Sequence, residues 1–133
     1  TVNIAPIIPG LTDVEMPAIM KAVADAGALR VAWSLLPLPY QVKDLFLEWL
    51  RRHVPERAGH VESLIRQVRG GQLYDSTLGD RMRGTGPIAE QIGQMFKVYA
   101  RRYGLDRPTR ELSSAAFRRP VRAGDARQMG LFG

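Results

Sequence analysis

The chain has 133 residues and a mass of 14.8 kDa, the size of one ordinary domain, able to bury roughly two thirds of its unfolded surface. Its net charge is +6 and its pI near 10.3; lysine occurs only at Lys21, Lys43 and Lys97, so the positive charge is mostly arginine, which suits phosphate contact as well as solvated helix surfaces. Cysteine is absent, which excludes disulfides and cysteine-held clusters within these residues, and no leader or run of ~18 apolar residues occurs, so a soluble, cytoplasmic protein without membrane attachment is expected.

The first predicted element is a strand from Val2 to Ile8, apolar on both faces as in a parallel sheet covered on both sides. Thr12 followed by Glu15 has the spacing of a capping box, and Met16, Ile19, Met20 and Val23 continue at helical spacing to a stop at Gly27. Pro17 would cost a backbone hydrogen bond in a helix begun at Asp13, so a start near Pro17 is the alternative. A second doubly apolar strand, Ala28 to Leu36, carries Val31, Trp33 and Leu35 on one face and Ala32 and Leu36 on the other. Strand, helix and strand with short joints form a βαβ unit, which calls for parallel strands and a right-handed crossover.

After the PLPY segment, Val42, Leu45, Phe46, Trp49 and Leu50 mark one face of an amphipathic helix. Pro55 opens another, with Val61, Leu64, Ile65 and Val68 as its apolar face and Gly70 and Gly71 as its stop. A loop from Gln72 to Gly86 leads to a last helix, opened by Pro87, with Ile88, Ile92, Met95, Phe96, Tyr99 and Tyr103 on one side. Periodicity then ends, and Arg107, Arg110, Arg118, Arg119, Arg122 and Arg127 lie among Pro, Ser, Ala and Gly in what reads as a disordered basic tail.

Two places within the folded elements carry candidate chemistry. At Ile7, Ile8, Pro9 and Gly10 a glycine follows an apolar strand end; this is either a plain βα turn or a place where backbone and isoleucines approach a flat ligand. In GDRMRGTGP, Arg81, Arg83, Gly84 and Gly86 precede a helix amino end, an arrangement able to hold a phosphate or DNA, the alternative being a packing loop. It lacks the lysine and spacing of a nucleotide-hydrolysing loop. Asp75, Asp80 and Glu90 suit orienting its guanidinium groups, and Tyr74 reads as a packing anchor. His53 and His60 lack a third ligand, so no metal site is expected.

The ordered segments IAPIIPGLTD, Ala28 to Pro39, VKDLFLEWL, RGGQLYDSTLGDRMRGTG and QMGLF resemble the carboxyl-terminal half of radical S-adenosylmethionine proteins related to spore photoproduct lyase, the DNA repair photolyase-like group. The resemblance spans essentially the whole chain. It implies an α/β fold made of the last two βα units of a partial (β/α)6 barrel in residues 1–54, a helical extension with the Arg/Gly loop in 55–105, and the disordered tail in 106–133. It also assigns Ile8, Pro9 and Gly10, with Leu36 and Leu38 at the end of the next strand, to S-adenosylmethionine. Pro37 stands where the family usually has arginine.

The 4Fe-4S cluster of such enzymes needs thiolates that this chain lacks. The cysteine count, the start at Thr1 and the two-stranded sheet together suggest a fragment. The amino-terminal barrel half would then be a missing partner, and the parent an enzyme acting on nucleic acid in repair, while the chain alone is not catalytic. The terminal Gln128, Met129, Leu131 and Phe132 resemble the bacterial sliding-clamp binding motif, which makes the clamp a further expected partner. The competing expectation is a non-catalytic helical adaptor that binds nucleic acid or the clamp.

Overall fold

The computed structural model describes residues 1–74, 80–108 and 113–118, the side chains of residues 80 and 81 excepted. Asp75 and the clamp-like Gln128, Met129, Leu131 and Phe132 lie outside the described residues. The fold is mixed α/β. Strand β1 (Val2–Ile7) runs parallel to β2 (Val31–Leu35), with Val2 opposite Val31, Asn3 opposite Ala32, Ile4 opposite Trp33 and, past an irregularity, Ile7 opposite Leu35.

Between the strands, a single 3-10 turn at Asp13–Glu15 runs into helix α1 (Met16–Asp25). Pro17 occupies its first turn, where a missing N–H has no partner to lose. The expected capping box is not formed. Gly10, at φ +73, turns the chain back so tightly that the Thr12 hydroxyl lies over the strand end and accepts the Ile8 N–H at 2.9 Å. The Ile8 carbonyl in turn accepts the Leu11 and Thr12 N–H groups, each at 3.0 Å.

Helices α2 (Val42–His53), α3 (Pro55–Gln67), the short α4 (Asp80–Arg83) and α5 (Gly86–Arg102) follow. Two cores organise them. In the first, α1 and α5 cover the sheet face bearing Ile4, Trp33 and Leu35, where Met16, Met20, Val68, Ala89, Ile92 and Leu105 close around it. Phe96 of α5 meets Trp33 with ring centroids 5.9 Å apart. In the second core, Ile8 and Leu38 from the strand ends meet Leu50 of α2 and Ala58, Val61 and Ile65 of α3. The boundary expected at residue 54 therefore runs through a shared core.

Three expectations need correction. β1 is not covered on both faces: Val2, Asn3, Ala5 and Pro6 stay exposed, because the chain's helices reach only the side of Ile4 and Ile7. On α2 the buried side chains are Leu47 and Leu50, whereas Val42, Leu45 and Trp49 remain 45%, 65% and 43% exposed. The joint to α3 is the single residue Val54, and so short a connection dictates which side of α2 rolls against α3. Asp106, expected to open a disordered tail, is instead held against the sheet. Leu105 is buried and accepts the Val31 N–H at 3.2 Å, and Asp106 bridges antiparallel to Arg30 on the outer edge of β2.

The register leaves the sheet with one open edge. Val2 donates to the Arg30 carbonyl and Leu36 to that of Ile7, so Val2, Ile4 and Ile7 direct their backbone groups toward β2. The N–H and C=O groups of Asn3 and Ala5 consequently face away from β2, on the side where no further strand pairs among the described residues.

Candidate functional site

The strand-end residues are brought together, but by the chain's own helices. Ile8, Pro9 and Leu38 are buried, Leu36 is half-buried beside them, and the apolar side chains of α2 and α3 fill the space against Ile8 and Leu38. A Cβ at Gly10 would lie 2.6 Å from Leu64 Cδ1 and 3.4 Å from His60 Cδ2, and the Arg57 guanidinium donates to the Gly10 carbonyl. Glycine at this turn admits helix α3. As arranged here, these side chains do not offer open walls to S-adenosylmethionine, and no residue of the chain can ligate a cluster iron through a thiolate.

The arginine-glycine loop is likewise folded inward. Gly84 has φ +72, and a Cβ there would stand 2.7 Å from Leu35 Cδ1 and 2.8 Å from the Val68 carbonyl oxygen. The Thr85 N–H donates to that same carbonyl at 3.0 Å, and Gly86, at φ +82, passes near the Gln67 carbonyl. Arg83 lies over the Trp33 ring, its guanidinium carbon 4.6 Å from the centroid, a cation–π contact that holds the loop on the sheet. Arg81 belongs to α4 by its backbone, and its side chain is outside the described atoms. Trp33, Arg83, Gly84, Thr85, Gly86 and Glu90 border a shallow cavity, in which the Glu90 carboxylate opposes any incoming anion.

Arg69 is a residue whose place the sequence does not reveal. Only 3% exposed, it extends from the end of α3 and donates to the Leu36 carbonyl at 3.1 Å. A guanidinium thus reaches the end of β2 beside Pro37. The RGG run signals the end of a helix but not the direction of the side chain that precedes the glycines.

A larger cavity of about 630 Å³ opens at the same end of β2. Leu38, Leu47 and Leu73 contribute apolar surface, and Tyr40, Lys43, Asp44, Arg66, Gln72 and Tyr74 the polar groups. Tyr40 is 82% exposed and has φ +47. The Arg66 guanidinium is steered by Glu62, which accepts from its Nη2 at 2.8 Å and its Nε at 3.3 Å. His53 lies tilted against Trp49 and His60 lies at Gly10; among the described residues no group of three His, Cys, Asp or Glu side chains could hold a metal ion. Nor is any described helix long and apolar enough to cross a membrane.

No family model, curated protein or solved structure matches the chain.

Proposed function

We propose that this chain is the carboxyl-terminal portion of a radical S-adenosylmethionine enzyme acting on nucleic acid in a lyase-like repair reaction, and that it supplies the last two strands of a partial barrel. The observation that carries this reading is the one-sided sheet. The helices pack on the face of Ile4, Trp33 and Leu35, whereas on the opposite face Asn3 and Ala5 are exposed and, among the described residues, Ser34 alone is buried. The opposite face begins with Asn3 and Ala32, and the Asn3 and Ala5 backbone groups face outward along an unpaired edge. Barrel strands keep helices outside and neighbours on both edges, so each of these features suits a strand pair awaiting a preceding strand.

The role of these residues is scaffolding and recognition. The Arg30–Asp106 bridge and Leu105 close the far edge of β2, leaving β1 as the edge on which a preceding barrel half would dock. The cluster has no ligands here, and no chemical step is assigned to this chain. The tail residues Gln128–Phe132 suit a tether to the sliding clamp, which binding of the peptide to purified clamp, and its loss in Phe132→Ala, would support.

The test is the continuous protein encoded with the preceding DNA. It should carry a C-x-x-x-C-x-x-C triplet, bind an iron-sulfur cluster and, when reduced, cleave S-adenosylmethionine to deoxyadenosine. A continuous protein without the triplet, or one that binds a cluster and leaves S-adenosylmethionine intact, contradicts the reading. One observation favours the adaptor instead: Ile8, Pro9 and Leu38 are already packed inside the chain. The adaptor reading expects nucleic-acid or clamp binding with no cofactor cleavage under any condition.

A further inference from the structure

We propose that the open cavity at the carboxyl end of β2 binds one nucleotide unit of single-stranded DNA, with the base stacked on Tyr40 and its phosphate held by Lys43 and Arg66. The inference rests on the nucleic-acid part of the function proposed above and places the contact at a site distinct from the arginine-glycine loop. The cavity lies where a parallel strand turns into a helix, the end at which α/β folds place their ligands. Its volume, about 630 Å³, falls in the range of roughly 300–1,000 Å³ typical of small-molecule sites.

Tyr40 is the first reason. A bulky side chain in the left-handed backbone region is rare, because its Cβ crowds the following carbonyl. Strain of this kind persists where the surroundings impose it, and it concentrates at ligand clamps. Tyr40 is held out in that conformation, its ring in solvent and, among the described residues, without a hydrogen bond, ion pair or ring contact of its own. Folding therefore gains little from the ring, whereas a base would gain a stacking platform. Tyr74, half-buried on the same cavity wall, adds a second aromatic surface.

Charge is the second reason. The Lys43 ammonium is exposed and has no ion-pair or hydrogen-bond partner among the described residues, and it stands in the first turn of α2, whose amino end carries a partial positive charge. Arg66 presents its guanidinium already oriented by Glu62, with N–H groups to spare. Glu62 is shared with Arg51 at 3.6 Å. Lys43, Arg51 and Arg66 against Asp44 and Glu62 thus leave the neighbourhood positive by one charge, with Asp44 suited to accept from a base amino group. Aromatic faces interleaved with cations are the pattern by which proteins hold unpaired strands.

The experiment is fluorescence anisotropy of this chain with a labelled thymidine octamer, an abasic octamer of the same phosphate count and inorganic phosphate as competitor, at several salt concentrations. Tyr40→Ala should weaken octamer binding about tenfold, Tyr40→Phe should restore it, and the abasic strand should bind wild type about as weakly as the octamer binds Tyr40→Ala. Lys43→Ala should reduce the salt slope by about 0.7, one phosphate's worth on a single strand. Because Tyr40 and Lys43 are exposed, unchanged circular dichroism should show that both variants fold.

Octamer binding that is indifferent to Tyr40→Ala overturns the site while leaving the nucleic-acid reading in place. Equal binding of the abasic strand overturns base stacking, and displacement by inorganic phosphate at similar concentration reduces the cavity to an anion site and overturns the proposal. Absence of octamer binding overturns it as well. The radical-enzyme reading has its own separate readout in S-adenosylmethionine cleavage.

Discussion

The loop from Arg83 to Gly86 and the turn at Tyr40 make an instructive pair. The first has what a sequence motif promises, arginines and glycines before a helix, yet its glycines are consumed by contact with Leu35 and Val68, and Arg83 lies on Trp33. The second has no motif, only Pro39, Tyr40 and a lysine three residues on, yet it leaves an aromatic ring and a cation in solvent beside an open cavity. Glycine reports that backbone must come close to something, and inside a folded chain that something is usually another part of the chain. What folding leaves unused is the better pointer to a ligand.

The contrast can be broken by mutation, and the largest effect should come from the filled strand end. Leu50→Ala removes a fully buried side chain from the second core and should lower stability by about 2–5 kcal/mol in urea titration. Leu45→Ala, on the exposed side of the same helix, should change it by no more than about 0.5 kcal/mol. Equal losses would mean that α2 packs through a different face.

Gly84→Ala should cost about 1–3 kcal/mol or more, since the new methyl meets Leu35 and the Val68 carbonyl on strained backbone. Gly71→Ala has similar backbone strain but open space, φ +90 with nothing within 4 Å, and should cost only about 1–2 kcal/mol. If the two variants melt alike, the Gly84 loop is not packed as described. Arg83→Ala should leave the salt slope of octamer binding unchanged, in contrast to Lys43→Ala. A drop of about 0.7 on removing Arg83 would return the phosphate contact to the motif loop.

The smallest effect belongs to α1. The hydrogen bond and charge of Asp25, 2.7 Å away, raise the Lys21 pKa above its ordinary 10.5. The stabilising contribution of the pair is therefore present below 10.5 and is lost as pH rises through the raised value. Both groups are exposed, and Lys21→Ala should shift the melting temperature by no measurable amount at neutral pH.

Much of the fold was legible because periodicity is a local property. The two strands, the proline-opened α3 and the Ile88–Tyr103 face of α5 follow directly from spacing and stop signals. Which faces the chain itself would cover was not legible. β1 is apolar on successive residues, a pattern that records only what the strand tolerates and not which neighbours lie within this chain. On α2, Leu45, Trp49, Val42, Phe46, Leu50 and Leu47 span an apolar arc of about 200° at 100° per residue, wide enough for two partners, so the pattern cannot tell which side meets α3.

Thr12 and Glu15 have capping spacing, but the tight turn at Gly10 gave the hydroxyl a better donor in Ile8. Of the candidate site residues, the positions of Ile8, Pro9 and Leu38 at the strand ends followed from the βαβ pattern, while their burial under α3 did not. Tyr40 carried no signal at all, since a left-handed tyrosine is imposed by its surroundings and not by its own preference.

The account depends on β1 being a strand that expects a neighbour. Amide hydrogen exchange at Asn3 and Ala5, compared between this chain and the longer parent protein proposed above, tests that directly. Fast exchange at both amides in this chain and protection at both in the proposed parent is the predicted result; equally fast exchange in the two would contradict it.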